Sequence, residues 1–72
     1  MAAAVELVPR DRRAIELLDE LEELTGAHPR EIREPNGART YDLDAARMSM
    51  DGLDETLDRI DSDWREHLSY AP

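Results

Sequence analysis

Residues 43–69 read LDAARMSMDGLDETLDRIDSDWREHLS, and apolar side chains recur through this stretch at alternating spacings of three and four. Such spacing places side chains on one face of an α-helix, and the resulting seven-residue repeat is typical of a coiled-coil or bundle seam. The pattern predicts one long amphipathic helix over about 43–69. Ser49 and Gly52 are weak helix positions, so a restart capped by Ser49, with Asp51 in the first turn, is the alternative. The seam residues that we expect to bind a partner are Met50, Leu53, Leu57, Ile60 and Trp64.

A shorter apolar stripe lies nearer the N-terminus and predicts a first helix over about 9–25, with Pro9 in its first turn or, as the alternative, Asp11 as its N-cap. Its members are Ala14, Leu17, Leu21 and Leu24, and Gly26 follows them as a helix-ending residue. At 1.5 Å per residue this helix would be about 25 Å long, against roughly 38 Å for the second helix. Because the first helix cannot cover the second, we expect the seam to be buried against another copy of the chain or a different protein.

The segment between the two helices contains Asn36-Gly37, a strong turn signal because both residues tolerate a positive φ. This signal predicts a β-hairpin, for which two registers stay open. A two-residue turn pairs Glu34 with Arg39, whereas a three-residue loop accommodates the neighbouring proline but pairs Arg33 with Arg39. A turn without paired strands is the alternative to a hairpin.

These elements predict a small α+β domain of helix, β-hairpin and helix, with an all-α helical hairpin or coiled coil as the alternative. Residues 1–8 are expected to form a flexible N-terminal arm, and residues 9–72 a single domain with its hairpin or turn at about 30–42. The chain has no Cys, so disulfides and most structural zinc sites are excluded. Small domains without these supports are usually stabilised by oligomerisation, and we expect a dimer.

The chain is strongly acidic, with 18 acidic residues against 9 basic ones and a net charge of −9. Such a charge disfavours nucleic acid and anionic membranes, and it favours proteins with a basic surface. Every one of the basic residues is Arg, which GC-rich coding or adaptation to high salt explains without any special site. The functional alternative is that the acids bind a basic protein.

The first helix carries its charges in the order that the helix dipole opposes. Arginines gather at its N-terminal end, and acids gather toward its C-terminal end. We interpret these acids as a patch that binds a basic partner, and its members are Glu16, Asp19, Glu20, Glu22 and Glu23. Screening by salt or by neighbouring arginines is the alternative interpretation.

No motif in the chain fixes a chemistry, and we expect no catalytic, cofactor-binding or metal-ligating residues. Asp63 and His67 stand four residues apart, so on a helix they would share a face that could bind a divalent metal or orient a general base. The pair lacks a third ligand and a nucleophile, and we prefer to interpret His67 as a charge-supported histidine near a helix end. Trp64 is interpreted as a core or interface anchor.

The sequence therefore predicts a non-enzymatic interaction or regulatory protein, whose partner is a second copy of the chain or a protein with a basic surface. An acidic inhibitor, such as an antitoxin or nucleic-acid mimic that occupies a basic toxin or nuclease, is the first alternative. A metal-dependent accessory subunit or small enzyme is the second. No stretch resembles a signal peptide or a membrane span, which predicts a cytoplasmic protein.

Overall fold

The computed structural model describes residues 4–33 and 37–71, in which four strands form one antiparallel sheet packed against helices. The helices are α1 (Arg12–Thr25), α2 (Leu43–Ala46) and α3 (Met50–Ile60), and a 3₁₀ turn spans Trp64–Glu66. The strands are β1 (Ala4–Pro9), β2 (Pro29–Arg33), β3 (Ala38–Asp42) and β4 (Leu68–Tyr70). The predicted α+β class is confirmed.

The N-terminal strand β1 lies inside the sheet, whose strand order is β2-β3-β1-β4. It pairs Val5 with Tyr41 of β3, and Pro9 with Leu68 of β4. Directly opposed residues of antiparallel strands point to the same face of the sheet. Val5, Tyr41 and Leu68 belong to one core together with the inward side chains of α1 and α3, so the helices cover this face.

The other face of the sheet consists of the alternate residues and is open to solvent. Glu6 lies opposite Thr40, and Val8 lies opposite Ser69; all four are only partly buried. The Thr40 hydroxyl donates a hydrogen bond of 3.4 Å to the Glu6 carboxylate across the strands. An antiparallel sheet with one packed and one wet face is an ordinary arrangement, and it makes the domain two layers thick.

The expected flexible arm over residues 1–8 is wrong for the part that the structure describes. Residues Ala4–Pro9 form β1, and its inward side chains Val5 and Leu7 are buried. The alternation of apolar and polar residues in Val5-Glu6-Leu7 is the strand period, but it is short and stands beside an alanine run. Residues 1–3 of the expected arm lie outside the described residues.

The expected continuous helix over 43–69 is also wrong, because the chain there divides into α2, α3, the 3₁₀ turn and β4. α2 ends at Arg47, whose φ of 58° lies in the left-handed region. The alternative, a restart capped by Ser49, is confirmed: its hydroxyl accepts a 3.1 Å hydrogen bond from the Gly52 N–H, and Asp51 lies in the first turn of α3. Beyond α3, the Asp61 carboxylate accepts from the Asp63 N–H at 2.9 Å, and this local bond competes with helical pairing.

The first helix is shorter than the expected span of 9–25 because Pro9 belongs to β1. The alternative N-cap, Asp11, is confirmed, because its carboxylate accepts a 3.1 Å hydrogen bond from the Ala14 N–H. Gly26 ends it in the left-handed conformation, with φ of 71°. The predicted C-terminal cap at Gly26 is confirmed, and the physical reason is that a left-handed residue costs glycine no steric strain.

The predicted hairpin is present as β2 and β3, but both of its expected registers are wrong. β2 pairs Arg33 with Ala38 and Ile32 with Arg39, whereas the expected registers paired Arg39 with Glu34 or with Arg33. Gly37 has φ of 75°, whereas the turn expected at Pro35 and Asn36 lies outside the described residues.

Replacing Leu57 with Ala tests the helix-to-sheet core, because its side chain is fully buried. We expect the free energy of unfolding to fall by about 2–5 kcal/mol, measured by urea titration with the fluorescence of Trp64. Leu24→Ala is the matched control, since Leu24 is 67% exposed and should change stability by less than about 0.5 kcal/mol. Equal effects of the two substitutions would contradict this core.

Candidate interaction surface

The seam predicted to bind a partner does not form one exposed surface. Leu53, Leu57 and Trp64 are 2%, 0% and 1% exposed, respectively, and they belong to the core beneath the sheet. Met50 is 41% exposed at the start of α3, and Ile60 at its end is partly buried. The sheet that contains β1 covers the apolar residues for which a second molecule was expected. The seam therefore does not need a partner to be buried. The dimer stays a prediction, but the uncovered seam no longer supports it.

Two acids of the predicted acidic patch share an arginine that extends from the sheet. Asp19 and Glu22, three residues apart on α1, accept hydrogen bonds of 2.8 and 2.7 Å from one guanidinium nitrogen of Arg39. The Arg39 side chain extends from β3 and is only 13% exposed. A neighbouring phenol, Tyr41, donates to the Leu18 carbonyl, and burial raises its pKa to about 12. This part of the patch anchors α1 to the sheet.

Arg13 holds most of the remaining acids of the patch. Its guanidinium donates to Glu16 at 3.1 Å and to Asp61, just beyond α3, at 3.3 Å. Glu20 lies at the outer limit of an ion pair with the same group, at 4.0 Å. The charge order that opposes the dipole of α1 is thus partly neutralised by arginines, which supports the screening interpretation for Glu16, Asp19 and Glu22.

An exposed apolar spot remains beside the acids that are least neutralised. Leu24 is 67% exposed in the last turn of α1, and it lines a shallow cleft with Glu20, Glu23 and Ile60. Glu23 has no ion pair among the described residues. We call these four residues the α1–α3 surface. Its volume of about 240 Å³ is below the range of roughly 300–1,000 Å³ that is usual for small-molecule pockets, so it suits a protein side chain better than a metabolite.

The Asp63 and His67 pair expected on a helical face is not the pairing that the structure shows. Residues 64–66 form a 3₁₀ turn, so the four-residue helical spacing does not apply. The His67 Nδ1 atom instead lies 2.7 Å from the carboxylate of Asp11, the residue that caps α1. Hydrogen bonding to Asp11 raises the pKa of His67, and the same contact lowers the pKa of Asp11. Among residues 4–33 and 37–71, no group of three or more His, Cys, Asp or Glu side chains is arranged to hold a metal ion.

A polar cluster that sequence reasoning missed joins α3 to the C-terminal segment. Asp58 accepts a 2.7 Å hydrogen bond from the Trp64 indole N–H. Asp54, one turn earlier, accepts a hydrogen bond from the Tyr70 hydroxyl. The Arg65 guanidinium lies 4.4 Å from the centre of the Trp64 ring and bonds Asp58 at 3.3 Å. Burial and the Asp54 contact raise the pKa of Tyr70. The spacing of the two aspartates was the only sequence signal, and their partners could not be read from it.

Comparisons with known proteins add no assignment. No family model matches the chain, no curated protein matches it, and no solved structure matches it. Within the described part of the chain, none of the helices has the length and apolar character needed to cross a lipid bilayer.

Replacing Arg39 with Met should leave Asp19 and Glu22 without their shared cation and repelling each other across one helical turn. We expect the free energy of unfolding to fall by about 1–2 kcal/mol at low salt, as measured by urea titration. The loss should shrink in high salt, because screening weakens the repulsion. Arg59→Met, at an exposed position on α3, is the control. If both substitutions have the same effect, the Arg39 ion pairs do not stabilise the fold.

Replacing His67 with Gln tests its contact with Asp11 through the pH dependence of stability. A raised folded-state pKa means that the contribution of His67 is fully present below the unfolded value of about 6.5, and that it is lost as pH rises through the folded pKa. The lowered pKa of Asp11 means that its own contribution is lost as pH falls through the folded value. The substitution should therefore lower stability more at pH 5.5 than at pH 9.

The matched background for this measurement is Asp11→Asn, because asparagine caps a helix as well as aspartate does but carries no charge. In that background, His67→Gln should have nearly the same effect at both pH values. A pH-independent effect in the unmodified chain would show that the His67–Asp11 charge interaction does not contribute.

Proposed function

We propose that this chain is a non-enzymatic interaction or regulatory protein that binds a protein with a basic surface through the α1–α3 surface. One observation carries the proposal: Leu24, a large aliphatic side chain, is two-thirds exposed beside two carboxylates, Glu20 and Glu23, that none of the described arginines fully neutralises. Isolated exposed leucines are common on soluble proteins. Here the leucine adjoins a second aliphatic residue, Ile60, in a cleft.

Charge supports a basic partner over other partners. The chain carries −9 overall, and an electrostatic field of that sign attracts cationic proteins and repels nucleic acid and anionic lipid. Glu20 and Glu23 are exposed, so a basic side chain could approach both without displacing a short ion pair. Such complementarity raises the association rate and selects the partner more than it raises affinity.

The ionisable groups of the described residues support a non-enzymatic role. His67 is engaged with Asp11, and Tyr70 is engaged with Asp54. These contacts tie structural elements together, and neither pair includes a nucleophile with a base that a third group orients.

An acidic inhibitor is a second candidate, favoured by the outer face of α3. Asp51 and Glu55 are exposed there, and the spacing of four residues places them on one side of the helix. Two carboxylates on one side of a helix could bind basic side chains that otherwise contact nucleic-acid phosphates. Self-association through the predicted seam loses support because Leu53, Leu57 and Trp64 are covered by the chain itself.

The two candidates can be separated by titrating ¹⁵N-labelled protein with a synthetic amphipathic helix made of Lys and Leu. The proposal expects saturable binding that weakens with salt, and shift changes at the end of α1 and at Ile60. An otherwise identical peptide of Glu and Leu should not bind. Changes confined to Asp51 and Glu55 would favour the inhibitor candidate instead. Absence of saturable binding at millimolar peptide would contradict the proposal.

A further inference from the structure

The apolar stripe of α1 extends past the core that covers it. Leu17, Leu21 and Leu24 follow one another at spacings of four and three, so they lie along one side of the helix. The first two are fully buried, whereas Leu24 is 67% exposed. Ile60, at the end of α3, is partly buried and lines the same cleft, so two aliphatic groups border a space that the chain leaves open.

The acidic residues around this opening have no basic residue beside them in the last turn of α1. The last turn of α1 contains no basic residue, although the negative end of the helix dipole lies there. Arg39 binds Glu22, in the same last turn, at 2.7 Å, whereas Arg13 approaches Glu20 only to 4.0 Å and Glu23 has no ion pair among the described residues. A cation placed between Glu20 and Glu23 would therefore interact favourably with both carboxylates and with the helix end.

We propose that the α1–α3 surface is a docking site for a basic amphipathic segment of another protein, which inserts one Leu, Ile or Met side chain between Leu24 and Ile60 and places Lys or Arg beside Glu20 and Glu23. This inference rests on the proposed function and names the chemistry of its partner. A second copy of the chain fits poorly, because two such surfaces would bring their carboxylates together in a chain that already carries −9. Nucleic acid has neither the aliphatic group nor the positive charge.

The aliphatic and the charged contacts can be separated with two peptide probes and calorimetry. The first probe is the amphipathic Lys and Leu helix, and the second has every Leu replaced by Ser. Leu24→Ala should weaken binding of the first peptide by about tenfold, which corresponds to losing roughly 1.4 kcal/mol of apolar contact. It should leave the weak binding of the second peptide unchanged, and the double substitution Glu20→Gln with Glu23→Gln should weaken both.

Two substitutions on α3, outside the proposed docking site, are the matched controls. Met50→Ala removes the other exposed large apolar side chain of the described residues, and Glu55→Gln removes an exposed acid. Both should bind the peptides as the unmodified protein does. Leu24 is exposed, so Leu24→Ala should keep the unmodified thermal midpoint, which separates a binding effect from unfolding.

The possible failures differ in what they overturn. If Leu24→Ala binds the Lys and Leu peptide normally while the double glutamine variant does not, the aliphatic anchor is wrong and the proposed function stands. If neither variant changes binding, both are wrong. If light scattering shows a dimer that Leu24→Ala dissociates, the occupant is a second copy of the chain and the proposed partner is overturned.

Discussion

The structure depends on the burial and pairing of β1. This strand is hydrogen-bonded to β3 on one side and to β4 on the other, so it connects the hairpin with the C-terminal end of the chain. Leu7 is fully buried from its centre, among side chains that come from both helices and from β4. Without β1, no strand would join the hairpin to β4. The core would also lose a central part of the sheet on which α1 and α3 pack.

The predictable parts of the fold are those with strong local signals. Gly26 and the Asn36-Gly37 dipeptide marked the end of α1 and the approximate place of the hairpin, since each belongs to a small set of residues that tolerate a positive φ. β1 and β4 were missed because a few residues of alternation are little evidence against the helical pattern beside them. In residues 43–69 the restart at Ser49 was open as an alternative, because serine is a good N-cap and a weak helix former. The end of α3 at Asp61 was missed, because helical apolar spacing continues to Trp64 while a local hydrogen bond decides the structure.

The candidate site was also predictable only where its residues are close together in the sequence. The acids of α1 were recognised as out of order with the helix dipole, but Arg39, which neutralises two of them, lies 17 and 20 residues away along the chain. Only the tertiary fold brings that guanidinium to α1. Leu24 belonged to the predicted apolar stripe but is 67% exposed, because periodicity identifies a side of a helix and does not show where the core beneath it ends.

The antiparallel pairing of β1 with β4 also brings the two ends of the described chain side by side. The Ala71 N–H donates a 3.0 Å hydrogen bond to the Glu6 carbonyl, near the start of β1. A pull applied to both ends would therefore load the bonds between these strands one after another, as in opening a zipper, rather than all at once. The domain should yield to low mechanical force, and its neighbouring ends would allow it to be inserted into a surface loop of a host protein through short connectors.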